Sequence, residues 1–138
     1  MDRPQIPHIP NAELQVMRVV WAASVPMSAK QIVEIIQKGT GLDWKVTTIR
    51  TLIDRLATKG YLAVEQHKRE RYYAALIDKQ AYLDEVTKKF LLQHYDGSFF
   101  HLFMLLESDR LAFLTAEELG QMKMILSKLD VKQNEHHP

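Results

Sequence analysis

The chain has 138 residues, 46% of them hydrophobic and 25% charged, and no cysteine. That composition fits one globular domain with at most a short appended module, and it excludes disulfides, thiolate metal sites and a cysteine nucleophile. The net charge of +1 conceals two unlike halves: residues 1–76 carry eleven Lys/Arg against seven Asp/Glu, whereas residues 77–138 carry seven against ten, so the first half is the one suited to a polyanion.

Prolines at 4, 7 and 10 disfavour helix and predict an extended arm over residues 1–10. Asn11 stands where an N-cap is expected, and Leu14, Met17, Val20 and Trp21 follow at helical spacing, widened by Val16 and Val19. Pro26 closes this first helix. Ser28 and Gln31 form a capping-box pattern for a second helix with Ile32, Ile35 and Ile36 on one face, stopped by Gly39 and Gly41. A third helix is predicted from Val46 or Thr47 to Lys59, with Gly60 beyond its end. Its apolar positions are Ile49, Leu52, Ile53 and Leu56.

Two short strands are predicted over residues 61–65 and 71–75, joined by the polar tip 66–70, which lacks the Asn-Gly signal of a tight turn. From Asp78 the pattern is helical again: Tyr82, Val86 and Phe90 mark a fourth helix, broken at Asp96, Gly97 and Ser98. A fifth, very apolar segment follows. Thr115 and Glu118 then open a sixth helix as a second capping box. The polar tail from Lys132 onward is expected to fray.

Three helices followed by a hairpin is the order of a winged helix-turn-helix, and the third helix carries chemistry suited to a major groove. Arg50 can fork onto the O6 and N7 of guanine; Thr47, Thr48 and Thr51 offer hydroxyls to phosphates or bases; Lys45 stands just ahead of a helix N-terminus that itself favours phosphate. Lys68, Arg69 and Arg71 occupy the place of a backbone-contacting wing. Taken singly, each is an ordinary solvated face or polar turn; their joint order is what points to double-stranded DNA. Trp21 and Trp44 read as packing residues. His94 and His101, seven apart across a helix break, and His136 with His137 in the tail read as incidental, so neither a metal nor a cofactor is expected.

Residues 43–60, DWKVTTIRTLIDRLATKG, resemble the recognition region of the penicillinase-repressor family, the BlaI/MecI/CopY group. Upstream, Ala12-Glu13-Leu14-Gln15-Val16-Met17 and Trp21 are similar to that family's opening motif, with Leu14 where the family usually has Trp. The resemblance covers nearly the whole chain. It implies a homodimer that binds a palindromic operator through an N-terminal winged helix and represses β-lactam-resistance or copper-transport genes. On the matching positions it implies base reading by Thr48 and Arg50, with Thr47, Thr51 and Arg55 near the backbone. The copper-responsive members' Cys-x-Cys pairs have no counterpart here. The Asn-Phe bond cut in β-lactam-responsive members is also missing, since Asn occurs only at 11 and 134.

The expected fold is therefore mainly α with a small β-hairpin, a winged helix-turn-helix followed by a helical dimerisation domain. Residues 1–10 would be a flexible arm, 11–77 the DNA-binding domain, 78–130 the dimerisation domain and 131–138 a flexible tail. Phe90, Phe99, Leu102, Phe103, Leu106, Leu119, Met122, Ile125 and Leu126 are expected at the dimer interface, being too apolar for short helices to leave in water. No phosphate loop, metal-binding helix motif or nucleophile elbow is present, so no enzyme is expected. The opening lacks a charged-then-apolar leader, and no apolar run reaches the roughly 18 residues of a membrane span, which predicts a cytoplasmic protein without a membrane partner. The competing reading is a winged-helix interaction adaptor that does not bind DNA.

Overall fold

The computed structural model describes residues 6–39, 41–108 and 114–136. In chain order the elements are α1 (Asn11–Ala22), β1 (Met27–Ser28), α2 (Ala29–Gly39), α3 (Val46–Thr58), β2 (Leu62–His67), β3 (Glu70–Ala75), α4 (Lys79–Tyr95), α5 (Phe99–Ser108) and α6 (Ala116–His136). They fall into two compact units, Met1–Lys89 and Phe90–Pro138.

In the first unit α1, α2 and α3 pack their apolar faces together. The core is made by Val16, Met17 and Val20 of α1, Ile32, Val33 and Ile36 of α2, and Ile49, Leu52, Ile53 and Leu56 of α3. Each set repeats at three or four residues, the spacing that lines one face of a helix. Ile35, expected on the buried face of α2, is instead 46% exposed, because Val33 takes the inward position.

The Ser28–Gln31 capping box is formed in both directions: the Ser28 N–H donates to Gln31 Oε1 at 2.9 Å and the Gln31 N–H donates to Ser28 Oγ at 3.2 Å. At α1 the expectation is corrected. Pro10 occupies the N-cap and Asn11 is the first helical residue, with no side-chain cap. Ile9 and Leu14 then hold the staple positions on either side of the helix start, and both join the core.

The sheet has three strands rather than two, in the order β1-β3-β2, all antiparallel. β1 is only two residues long, too short to show alternation, and pairs Met27 with Tyr73 and Ser28 with Tyr72. The hairpin is longer than its sequence signature: pairing runs out to His67 opposite Glu70, leaving Lys68 and Arg69 as the turn. Lys68 adopts φ 59°, a left-handed conformation that Asn or Gly would have announced.

The first unit reaches beyond residue 77. Tyr82 of α4 is buried, its hydroxyl accepts a hydrogen bond from the Ile9 N–H at 3.3 Å, and its ring lies 5.6 Å from that of Trp21. Trp21 in turn donates its indole N–H to the Ile77 carbonyl at 2.8 Å. Val86 also packs against this core, so the division of units falls inside α4 and not before it.

In the second unit, α4 ends where Asp96 (φ 51°) and Gly97 (φ 81°) turn the chain. α6 opens on the Thr115–Glu118 capping box, with bonds of 2.9 and 3.1 Å. No glycine or proline interrupts the chain between Gly120 and Pro138, and α6 continues through His136, across most of the expected flexible tail. Residues 1–5 of the expected arm, and His137 and Pro138, lie outside the described residues.

Candidate nucleic-acid interface

α3 has two faces. With Ile49, Leu52, Ile53 and Leu56 turned into the core, Lys45, Thr47, Thr48, Arg50, Thr51 and Arg55 are left exposed. No acidic residue stands in its first turn, no side chain caps it, and Lys45 occupies the N-cap. The positive end of the helix is therefore open to an external anion. Thr51 Oγ1 donates to the Thr47 carbonyl at 2.9 Å, so its proton is spent within the helix while its methyl remains available.

The packing of α3 against α1 is locked by an ion pair. Glu13 is buried, and both its oxygens accept from Lys59 Nζ, at 2.9 and 2.7 Å. A buried carboxylate needs such a partner. The pair ties the Ala-Glu opening motif to the Lys-Gly that closes the recognition segment.

Three of the residues expected at the interface converge with one that was not. Arg50 of α3, Arg69 and Arg71 of the wing, and Lys30 in the first turn of α2 line a single groove of about 460 Å³. Their side chains have no ion-pair partner among the described residues. Of the two carboxylates lining the same groove, Glu70 is engaged, accepting from the Tyr72 hydroxyl at 2.9 Å, while Asp54 is not. The Tyr72–Glu70 bond, with the carboxylate's negative charge behind it, raises the Tyr72 phenol above its ordinary pKa. Lys30 carried one faint signal in the sequence: a cation in a helix's first turn opposes the helix dipole, which makes sense if an external anion arrives there.

The other candidates lie elsewhere on the same unit. Lys68 lines a second recess on the wing with His67 and Tyr72, and Arg69 and Glu70 border both it and the groove. There His67 Nε2 lies 3.3 Å from Glu65 Oε2, and its ring stands edge-on to that of Tyr72 at 5.7 Å. Lys45, Thr47, Thr48, Thr51 and Arg55 do not line the groove; they continue the exposed face of α3 beyond it.

In the second unit, none of the described side chains from Phe90 to Leu129 is buried. Of the nine residues expected at a dimer interface, Phe90, Phe99, Leu106, Ile125 and Leu126 are exposed, and Leu102, Phe103, Leu119 and Met122 are half-buried. α5 also exposes Phe100, Met104 and Leu105, so it is apolar on all sides, a pattern that belongs to an enclosed helix. Among the described residues no helix is long and apolar enough to cross a membrane, and no cluster of side chains could hold a metal.

Residues 9–128 match the family model described as "Penicillinase repressor". Among curated proteins the chain is 32% identical over 125 residues to the penicillinase repressor of Bacillus licheniformis, covering 90% of this chain and 93% of that one. It is 31% identical over 121 residues to the methicillin resistance regulatory protein MecI of Mammaliicoccus sciuri, covering 87% and 94%. Among solved structures, that of monomeric B. licheniformis BlaI in complex with the blaP half-operator superposes with a TM-score of 0.48. It is 32% identical and covers 56% of this chain and 92% of that one.

Proposed function

The chain belongs to the penicillinase-repressor family of DNA-binding transcriptional repressors, and from that premise we propose that it acts as a homodimer on a palindromic operator. The observation that carries the reading is the groove beside α3, where Lys30, Arg50, Arg69 and Arg71 meet without an ion-pair partner among the described residues. Concentrating like charges is unfavourable unless a polyanion neutralises them, and duplex phosphate does so while releasing counterions. α3 then enters the major groove, Arg50 and Thr48 read base edges, and Thr47, Thr51 and Arg55 lie against the backbone. Lys45 and the wing residues Lys68, Arg69 and Arg71 hold phosphates on either side.

The second unit supports the dimer. Its exposed Phe99, Leu106, Ile125 and Leu126, with half-buried Leu102, Phe103, Leu119 and Met122, need a partner surface to leave water. A second copy supplies one by twofold symmetry and brings a second recognition helix to a second half-site. Repression needs only occupancy of the promoter. In this reading the target lies among antibiotic-resistance genes, a choice supported by relatives named for penicillinase and methicillin resistance. Copper-transport genes are the less favoured target, because thiolate sensing has no cysteine to use.

The test is an electrophoretic shift of the protein's own promoter fragment, run beside sedimentation equilibrium at micromolar concentration. The reading requires a dimer mass and a complex that survives excess random-sequence duplex. A monomer would remove the symmetry, and equal competition by random DNA would remove the operator.

A further inference from the structure

Asp54 is the one carboxylate in the groove beside α3 that makes no side-chain hydrogen bond or ion pair among the described residues. It lies one turn beyond Arg50 on the same exposed face, about 6 Å along the helix axis at 1.5 Å per residue. Nothing in its own helix accounts for it. An acid four residues after a base is the weaker order for an intrahelical pair, and an anion gains nothing from the C-terminal half of a helix dipole. For a protein that merely clings to phosphate, an unengaged carboxylate among four cations is a loss.

We propose that Asp54 is a specificity-determining residue of the DNA interface, accepting a hydrogen bond from a cytosine N4 amino group roughly two base-pair steps from the guanine taken by Arg50. The inference rests on the proposed entry of α3 into the major groove. A carboxylate is an acceptor only. On the major-groove edges, guanine N7 and O6, thymine O4 and adenine N7 are acceptors too, and repel it; cytosine N4–H₂ is the matching donor, and adenine N6–H₂ can be reached by a carboxamide in bidentate fashion. Asp54 therefore works mainly against wrong sequences, weakening every complex in which no amino group answers it.

The test presents a randomised double-stranded DNA pool to the full-length wild type and to Asp54→Asn, Asp54→Ala and Arg50→Ala, followed by titration of the selected duplex with single base-pair replacements. Asp54 is exposed and unpartnered, so its variants keep the fold, which circular dichroism checks. The wild type should prefer cytosine at one position by about tenfold, a short distance from the guanine whose preference Arg50→Ala abolishes. Asp54→Ala should flatten that cytosine position to within about twofold and tighten binding to random duplex several-fold, since a charge that repels phosphate is gone. Asp54→Asn should move the preference there from cytosine to adenine. If both Asp54 variants keep the wild-type preference at every position while Arg50→Ala loses its guanine, the role of Asp54 is overturned and the repressor reading stands. If the wild type selects no sequence at all, both fall together.

Discussion

Large apolar side chains meet opposite fates in the two units. In Met1–Lys89 the helices and sheet enclose Met17, Ile32, Ile36, Ile49, Ile53 and Leu56 almost completely; in Phe90–Pro138 side chains of the same size, such as Phe99, Phe100, Met124 and Ile125, remain more than half exposed. The first unit satisfies itself, down to a buried Glu13 with its own lysine. The second leaves large apolar side chains uncovered, as the proposed dimer requires. Charge divides along similar lines, basic ahead of residue 77 and acidic after it, so under the proposed function duplex and protein partner are addressed by different ends of the sequence.

The sharpest way to break this contrast is to delete the same atoms from each unit. Leu56→Ala, in the core of the first, should cost about 2–5 kcal/mol of stability at any protein concentration. Leu126→Ala, on an exposed position of the second, should cost a dilute monomer no more than about 0.5 kcal/mol, yet move the monomer–dimer equilibrium toward monomer. Thermal unfolding over a hundredfold range of concentration separates the two. A large, concentration-independent loss from Leu126→Ala would mean that the second unit has a core of its own.

The same contrast marks what the sequence could disclose. Apolar spacing along α1 and α3 and the Ser28–Gln31 box were legible because short-range periodicity and hydrogen bonding specify them. β1 was not: two residues carry no alternation, and Met27 becomes a strand only because Tyr73 lies beside it. Nor was the tight wing turn, whose left-handed residue is a lysine. Within the candidate interface, Arg50 stood out because it projects from the polar face of a periodic helix. The importance of Lys30 is tertiary, arising from the antiparallel pairing that sets the start of α2 beside β3.

A smaller effect sharpens the contrast within the first unit, between reading and holding. Arg50→Ala should lose about 1–3 kcal/mol per half-site and relax base preference at one position, whereas Lys68→Ala should weaken all duplexes alike and lower the salt slope by about one. Fluorescence anisotropy at several salt concentrations distinguishes them; equal losses on operator and random DNA for Arg50→Ala would count against base reading.

The least effect belongs to the second unit. The Thr115 N–H and hydroxyl bonds hold the Glu118 carboxyl below its ordinary pKa. That contribution is complete above the ordinary carboxylate range and is lost as pH falls through the depressed value, so the start of α6 should loosen only in acid. An NMR titration of Glu118 reads the midpoint directly. A midpoint at or above the ordinary range would mean that the cap does not form.

The burial of Tyr82, with Ile9 and Trp21 closed around it, sets a rule for anyone recombining these proteins. Chimeras that exchange C-terminal halves between relatives should be spliced after Val86. A junction at Ile77 would hand the reader module a foreign lid, and its failure to bind would be misread as incompatibility between the halves.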